Sequence, residues 1–368
     1  MNFTAQKADL LSALQKTHAI VASKSTLSIL ANVLIETNEG KLVFTTTNLQ
    51  VGIRCESPAN ITATGATTLP ARFLFAIVRE LPVGDVLVEV NDENVASIRS
   101  GEAFFRLLGI SKEEFPRVAE FEGKPLFSMP QKSLREMLRK TSFAVSREDP
   151  RHFLTGMYFS ISEGRLLLVG TDGRRLSRIS HEIATEEGYT GNFIVPIKAI
   201  EELEKMIGED GDVHVYLSGN QAGFRLGTDL LVSLLIDARF PDYEGVIPKT
   251  GAVTASLNRE EFAATVRQAA LVTSEQSSSV KLNFTSNELV ISAHSPEVGE
   301  ARVVMPAKFS GEPLAIGFNP TCLRDVLNCM DEEEITLQLT DSVSPGVVSG
   351  EGSFLHLIMP MRLPEGEI

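Results

Sequence analysis

The chain has no apolar run long enough to cross a bilayer; its best stretch, Leu230 to Ile236, is far too short. Its first residues show no basic-then-apolar signal pattern, so a cytoplasmic protein without membrane contact is expected. The Asn-x-Thr triplets at Asn2, Asn60 and Asn283 carry no weight without secretion. Cysteine is scarce: Cys55, Cys322 and Cys329 are odd in number and scattered, which excludes a disulfide framework and points to free thiols. Cys322 and Cys329 lie seven residues apart, on one face of a predicted helix, and read as buried inert thiols rather than a metal pair. The six histidines (His18, His152, His181, His214, His294, His356) have no metal-ligand spacing. A phosphate-cradling Gly-x-x-x-x-Gly-Lys-Ser/Thr pattern is absent, as is a dinucleotide Gly-x-Gly-x-x-Gly. No metal and no cofactor are therefore expected. Positive charge is also short: the net charge of −14, taken alone, argues against nucleic acid as a partner.

What the chain does have is a threefold internal repeat. Apolar or small residues spaced 4, 3, 4 occur at Leu10, Leu14, Thr17 and Val21, again at Leu134, Leu138, Thr141 and Val145, and again at Phe262, Val266, Ala269 and Thr273. That spacing traces one face of a helix, and predicts helices over 7–22, 131–145 and 258–274. A second helix, opened by Pro70, Pro196 and Pro320, follows in each copy. Its apolar series are Leu74/Ile77/Leu81, Ile200/Leu203/Ile207 and Leu323/Leu327/Met330. A period of this length exceeds any solenoid unit and means three copies of one domain.

Strands fill the intervals. Asn38-Glu39-Gly40 and Ser162-Glu163-Gly164 sit between alternating apolar residues and read as tight hairpins. The third copy has Ser286-Asn287-Glu288 without the glycine, which predicts a different turn. Further strands are expected at 86–90, 104–110, 213–217, 230–236, 335–339 and 354–359. The predicted class is α+β, with two amphipathic helices packed on antiparallel sheets in each copy. The predicted domains are 1–126, 127–251 and 252–368.

Over the six repeat helices, thirteen Lys or Arg stand against ten Asp or Glu, a net of +3 in a chain of −14. This fits random scatter, or a basic helix surface opposed to an acidic one. Thr171-Asp172-Gly173-Arg174-Arg175 is the sharpest polar cluster. It reads as a hairpin turn, or as the centre of an enzyme of unknown class. Met359-Pro360-Met361-Arg362-Leu363 is unusually apolar for a chain end; a last strand and a methionine-lined docking surface are both open readings. A peptide-binding scaffold without DNA is a further rival.

The repeat, together with 171–176, Arg239-Phe240-Pro241-Asp242-Tyr243 and 359–363, resembles the bacterial sliding clamp, the β subunit of DNA polymerase III. Leu27-x-Ile29-Leu30, Pro70-Ala71-Arg72 and Gly317-Phe318-Asn319 add to the likeness, which covers nearly the whole chain. The resemblance implies three DNA-clamp domains forming a half ring, closed by head-to-tail dimerisation around duplex DNA. It implies a non-catalytic processivity factor that tethers polymerase subunits, the clamp loader and repair proteins through short peptide motifs. Twelve helices at about 10 Å each give a bore of roughly 38 Å, wide enough for a hydrated duplex. A mildly positive bore suits loose passage, because many phosphate contacts would grip.

The resemblance also carries residue roles. DNA-binding residues would be Lys24, Arg72, Lys132, Arg135, Arg139, His152, Phe153, Lys198 and Arg267. The last pair of the 148–153 loop replaces two tyrosines found in many members. The partner-peptide pocket would comprise Leu154, Thr171, Gly173, Arg174, Arg175, Leu176, Pro241, Val246, Asn319, Val343, Met359, Pro360, Met361 and Arg362. Arg174 stands where a histidine is common, and Cys322 where some members have tyrosine; Pro345 and the tail Pro364–Ile368 also depart from the family. The dimer interface would pack Phe105 and Leu107 of one copy on Leu271 and Val272 of another, a heterologous contact that closes.

Overall fold

The computed structural model describes residues 1–21, 27–185, 188–248, 253–274, 278–349 and 353–363. The first repeat holds β1 (Asn2–Gln6), α1 (Lys7–Thr17), β2 (Asn32–Asn38), β3 (Lys41–Thr47), β4 (Val51–Pro58), β5 (Asn60–Ala63), β6 (Ala66–Pro70), α2 (Ala71–Glu80), β7 (Asp85–Val90), β8 (Val95–Ser100) and β9 (Ala103–Leu108). The second holds β10 (Phe127–Pro130), α3 (Gln131–Arg139), β11 (Gly156–Ser162), β12 (Arg165–Thr171), β13 (Arg175–Glu182), β14 (Gly191–Pro196), α4 (Ile197–Met206), β15 (Asp212–Ser218), β16 (Gln221–Leu226) and β17 (Asp229–Leu234). The third holds β18 (Val253–Asn258), α5 (Arg259–Ala270), β19 (Val280–Phe284), β20 (Glu288–Ser295), β21 (Gly299–Pro306), β22 (Lys308–Phe309), β23 (Leu314–Phe318), α6 (Pro320–Cys329), β24 (Glu334–Leu339), β25 (Gly346–Ser349) and β26 (Leu355–Ile358). One order runs through all three: strand, helix, a group of strands, helix, three strands.

The chain forms two compact units. The first comprises Met1–Arg135, Ile183–Glu186 and Lys198–Leu235. It contains a five-stranded sheet, β5-β1-β7-β8-β9, and an eight-stranded sheet, β10-β15-β16-β17-β4-β3-β2-β6. Helix α1 packs on strands of both sheets and on α2. The second unit, Glu136–Glu182, Glu187–Ile197 and Ile236–Ile368, contains a nine-stranded sheet, β14-β11-β12-β13-β26-β25-β24-β18-β22, and a four-stranded one, β21-β20-β19-β23. There α5 packs on both sheets and on α6. In each unit the longer sheet runs across a repeat border, through β4 with β17 in the first and β13 with β26 in the second.

The repeated apolar positions form the cores. Leu10, Leu14, Leu134, Leu138, Phe262 and Val266 are all buried, as are Ile200, Leu203, Leu323 and Leu327. Each such side chain contributes about 1.5–3 kcal/mol. The first helices are shorter than their periodicity suggests. Thr17 and Thr141 bond back through their hydroxyls to Ala13 O (2.9 Å) and Met137 O (2.7 Å). This competes with continued helical bonding. Short 3-10 turns, His18–Ile20 and Ser142–Ala144, then carry Val21 and Val145 back into the core. In the third copy Ala269 holds the threonine's place, α5 runs to Ala270, and Thr273 lies beyond it, half-buried. The prolines also differ in position. Only Pro320 is inside its helix; Pro70 and Pro196 end the preceding strands.

The hairpins form as read. Asn38 pairs with Lys41 and Ser162 with Arg165, and both central residues of each turn have positive φ. That is a type I′ turn, which suits strand twist. In the third copy Phe284 pairs with Leu289 across a longer loop closed by Thr285 N–H to Glu288 O at 3.0 Å.

Candidate functional site

Register brings the pocket residues to one end of the nine-stranded sheet. Arg175, at the start of β13, pairs with Ile358, at the end of β26. Ile358 pairs on its other side with Gly346, at the start of β25. The 171–175 turn, the 359–362 segment and the loop bearing Val343 therefore leave the sheet side by side. The 3-10 turn His152–Thr155 leads into β11, next to β12, whose end carries Thr171.

The 171–175 turn is held from within. The Asp172 Oδ1 accepts the N–H groups of Arg174 (2.9 Å) and Arg175 (3.0 Å), and the Thr171 hydroxyl donates to Arg175 O at 2.6 Å. Gly173 has φ +83°, where a side chain is strained, and the Arg151 guanidinium lies against its open face. Arg151 is itself clamped by Asp149 at 2.9 and 3.0 Å, which holds that carboxyl down at about 2. The Arg175 side chain, 13% exposed, donates to Asp172 (3.1 Å), Asp325 (2.6 Å) and Phe143 O (2.7 Å) and lies over the Phe143 ring. Cys322 sits beside this network, and burial pushes its thiol up. The polar cluster is thus a satisfied turn anchored to α6.

The terminal segment adds two bonds. Met359 N–H donates to Arg174 O (2.9 Å) and Met361 N–H to Gly317 O (2.8 Å). A side chain on Gly317 would stand 2.8 Å from Met361 O and from Leu363, so only glycine admits this segment. Asn319 caps α6, accepting Thr321 N–H at 2.8 Å. Asp341 caps the loop of Val343, accepting its N–H at 2.8 Å.

An apolar cluster lies beneath: Val169, Leu176, Ile194, Phe240 and Leu357, with Phe153, Tyr158, Tyr243 and Ile247 packed on it. Tyr158 stacks on Phe240 at 4.5 Å. This stack carries the segment of Pro241 and Val246. Leu154 and Leu176 are buried, whereas Pro241, Val246, Val343, Met359 and Arg362 are exposed. Sequence reasoning missed Tyr158, Phe240's partner, and Asp325, the acid that holds Arg175. Their signals were an aromatic amid strand alternation and a lone acid on an amphipathic helix.

The residues assigned to DNA separate into two groups. Arg72, Lys132, Lys198 and Arg267 are exposed and have no acidic partner among the described residues. Arg135 is bound by Glu209 and Ile207 O, and Arg139 by Asp331, which also holds the Arg139 proton more tightly. His152 is exposed, while Phe153 is half-buried on the apolar cluster. Lys24 lies outside the described residues, as does the tail 364–368.

The residues assigned to dimerisation lie one pair in each unit. β9 is an edge strand of the first unit, with Phe105 37% exposed, Leu107 half-buried, and Phe104 and Leu108 more open still. Leu271, 80% exposed, follows α5 in the second unit, with Val272 half-buried beside it. Leu271 and Arg267 line a cavity of about 320 Å³ between α5 and α6, floored by Val266, Ala270 and Pro320. No group of three or more His, Cys, Asp or Glu side chains is arranged to hold a metal among the described residues. No helix there is long and apolar enough to cross a membrane.

This architecture, three helix-and-sheet copies sharing their longer sheets, is that of a clamp protein. Residues 1–119, 128–242 and 244–362 match the N-terminal, central and C-terminal domains of the DNA polymerase III beta subunit. The beta sliding clamp of Chlamydia muridarum is 38% identical over 363 residues, covering 99% of each chain. The sliding clamp structure from Bacillus subtilis superposes with a TM-score of 0.95 at 29% identity, covering 99% of both chains. That from Pseudomonas aeruginosa bound to griselimycin gives 0.94 at 32%, covering 99% of this chain and 100% of that one. The chain belongs to the bacterial DNA polymerase III β subunit family. Its role is that of a DNA sliding clamp in replication, a non-catalytic processivity factor.

Proposed function

We propose that two copies close head to tail into a ring in the cytoplasm, each supplying three modules bounded at 1–126, 127–251 and 252–368. Phe105 and Leu107 of one copy pack against Leu271 and Val272 of the other. The observation carrying this reading is the exposure of Leu271 beside a cavity floored by Val266, Ala270 and Pro320, together with an edge strand in the other unit that exposes Phe104, Phe105 and Leu108. Covering β9 also removes an edge that invites aggregation.

Duplex DNA passes through without being gripped. Arg72, Lys132, Lys198 and Arg267 meet phosphates, and Arg135 and Arg139 exchange their exposed acid partners for phosphate at little cost, since such pairs are worth about 0–1 kcal/mol. Lys24, His152 and Phe153 complete the candidates. These contacts position the backbone and read no bases. Polymerase subunits, the clamp loader and repair proteins dock short peptides with leucine or phenylalanine anchors at the site between 171–176 and 359–362.

The test is topological. The protein is loaded onto nicked circular DNA, which is then linearised. Release on linearisation supports a threaded ring, and unchanged retention on linear DNA refutes it.

A further inference from the structure

The two long sheets turn the same corner. In the first unit the Asn48 Oδ1 accepts the N–H groups of Gln50 (3.0 Å) and Val51 (2.8 Å), as Asp172 Oδ1 accepts those of Arg174 and Arg175 in the second. The Thr47 hydroxyl donates to Val51 O and accepts Leu49 N–H, both at 3.0 Å, as the Thr171 hydroxyl does with Arg175 O and Gly173 N–H. Leu234 N–H reaches Gln50 O as Met359 N–H reaches Arg174 O. Leu49 takes a left-handed φ of +74°, and its counterpart Gly173 one of +83°. The turn at the proposed peptide site thus has a bond-for-bond duplicate where β4 meets β17.

What lies against the duplicate differs. One residue past the turn, Gly52 corresponds to Leu176. Strand pairing extends each into a row of three: Gly52–Val232–Gly223 in the first unit, Leu176–Leu357–Val347 in the second. The first row is hollow on either side of Val232, and the segment following the first repeat fills it. A Cβ on Gly52 would stand 2.8 Å from the Val118 side chain, and one on Gly223 2.5 Å from the Phe121 ring. Phe121 is 5% exposed, packs with Leu230 and Val232, and meets the Tyr216 ring at 5.7 Å. Arg225 donates to Phe121 O at 2.6 Å, and Arg54 holds Glu120. Counted from Phe115-Pro116 and Phe240-Pro241, Phe121 falls where the second segment has Val246, which is 47% exposed.

We propose that the first unit carries a second groove of the peptide-site type, closed by the chain's own linker, with Val118 and Phe121 seated where a partner's apolar anchors would lie. The inference rests on the peptide-site reading above and extends it to a separate site. The ligand class is the same, a short peptide with apolar anchors, and the resident ligand is residues 115–121. Glycine inside a strand weakens it and marks close approach by another segment. Two in one cross-strand row make room for the linker. A tethered segment competes at an effective concentration above that of free peptide, so the groove stays shut to partners. Leu49, 50% exposed, remains open on its turn. Each chain therefore offers partners one groove rather than two.

The experiment counts bound peptides per full chain by isothermal titration calorimetry, with one synthetic leucine–phenylalanine peptide. The unaltered chain is expected to bind one. Phe121→Ala is expected to bind two, and so is Phe121→Val, which copies Val246; if circular dichroism shows that the alanine variant has unfolded, the valine variant decides. Deleting Met359–Leu363 should leave none on the unaltered chain and one on the Phe121 variant, and adding Leu49→Arg should remove that one. One peptide per folded Phe121 variant overturns this inference alone. So does a gained peptide that Leu49→Arg leaves in place, or two peptides on the unaltered chain. No binding by the unaltered chain overturns the peptide-site reading, and this inference falls with it unless the Phe121 variant gains one.

Discussion

The Arg175 guanidinium donates to Asp325 Oδ2 at 2.6 Å, which ties a turn of the second repeat to the second helix of the third. Arg175 is largely buried, and its loss leaves two carboxylates facing each other without their cation. Arg175→Met should lower stability by about 2–3 kcal/mol, and Asp325→Asn by about 1 kcal/mol, because breaking one side of a buried pair strands the other. The midpoint of urea unfolding measures both. Equal losses would mean that the network is not centred on Arg175.

Gly317 is a second lever on the same site. A valine there would meet Met361 O and Leu363 at distances no side chain tolerates. Gly317→Val should push the 359–363 segment off β23 and weaken peptide binding at least tenfold, while light scattering still reports the dimer mass. Deleting Met359–Leu363 should have the same effect.

A charge placed in the proposed interface should separate the copies. Phe105→Arg and Leu271→Arg are each expected to give monomers by light scattering, since an unpaired charge in an apolar contact costs several kcal/mol. An intact dimer from either variant would remove that residue from the interface.

His356 gives the protein an acid limit. Both ring nitrogens are buried without a hydrogen-bond partner, and burial holds the ring's proton affinity down at about 3. The unfolded residue keeps its ordinary value near 6.5 and takes up a proton first. Stability from this group is therefore full above that value and falls as pH drops towards 3, by about 1.4 kcal/mol per pH unit. His356→Leu should flatten the loss of stability between pH 6 and pH 4, as followed by urea unfolding. An unchanged slope would show that other groups carry the acid limit.

The apolar periodicity revealed the helices well, because Leu134, Phe262 and their equivalents face a core that tolerates little else. It overran their ends, since it does not register that the Thr17 hydroxyl bonds back to Ala13. The third strand of each group was less legible. β4 alternates Val51, Ile53 and Cys55 with Gly52, Arg54 and Glu56 but is short of large apolar side chains, and Arg54 turns to Glu120 in the segment joining the first two repeats. At the proposed peptide site the Asp172 turn could be read locally, but its anchor Asp325 lies 150 residues away from Arg175. No spacing rule links such a pair; only the β13–β26 register brings it together. The clustering of Val343 with Met359 depends on the β25–β26 register.

The pairing of β4 with β17, and of β13 with β26, means that the seams of this molecule do not follow its repeats. A copy excised at its sequence borders would leave a half-built sheet with an open ladder and would seek a foreign strand. Swapping one lobe between related proteins would succeed only if the ladder on the far side of the junction were swapped or matched as well. The ancestral unit can be recognised by its sequence, but the piece that now folds is cut across it.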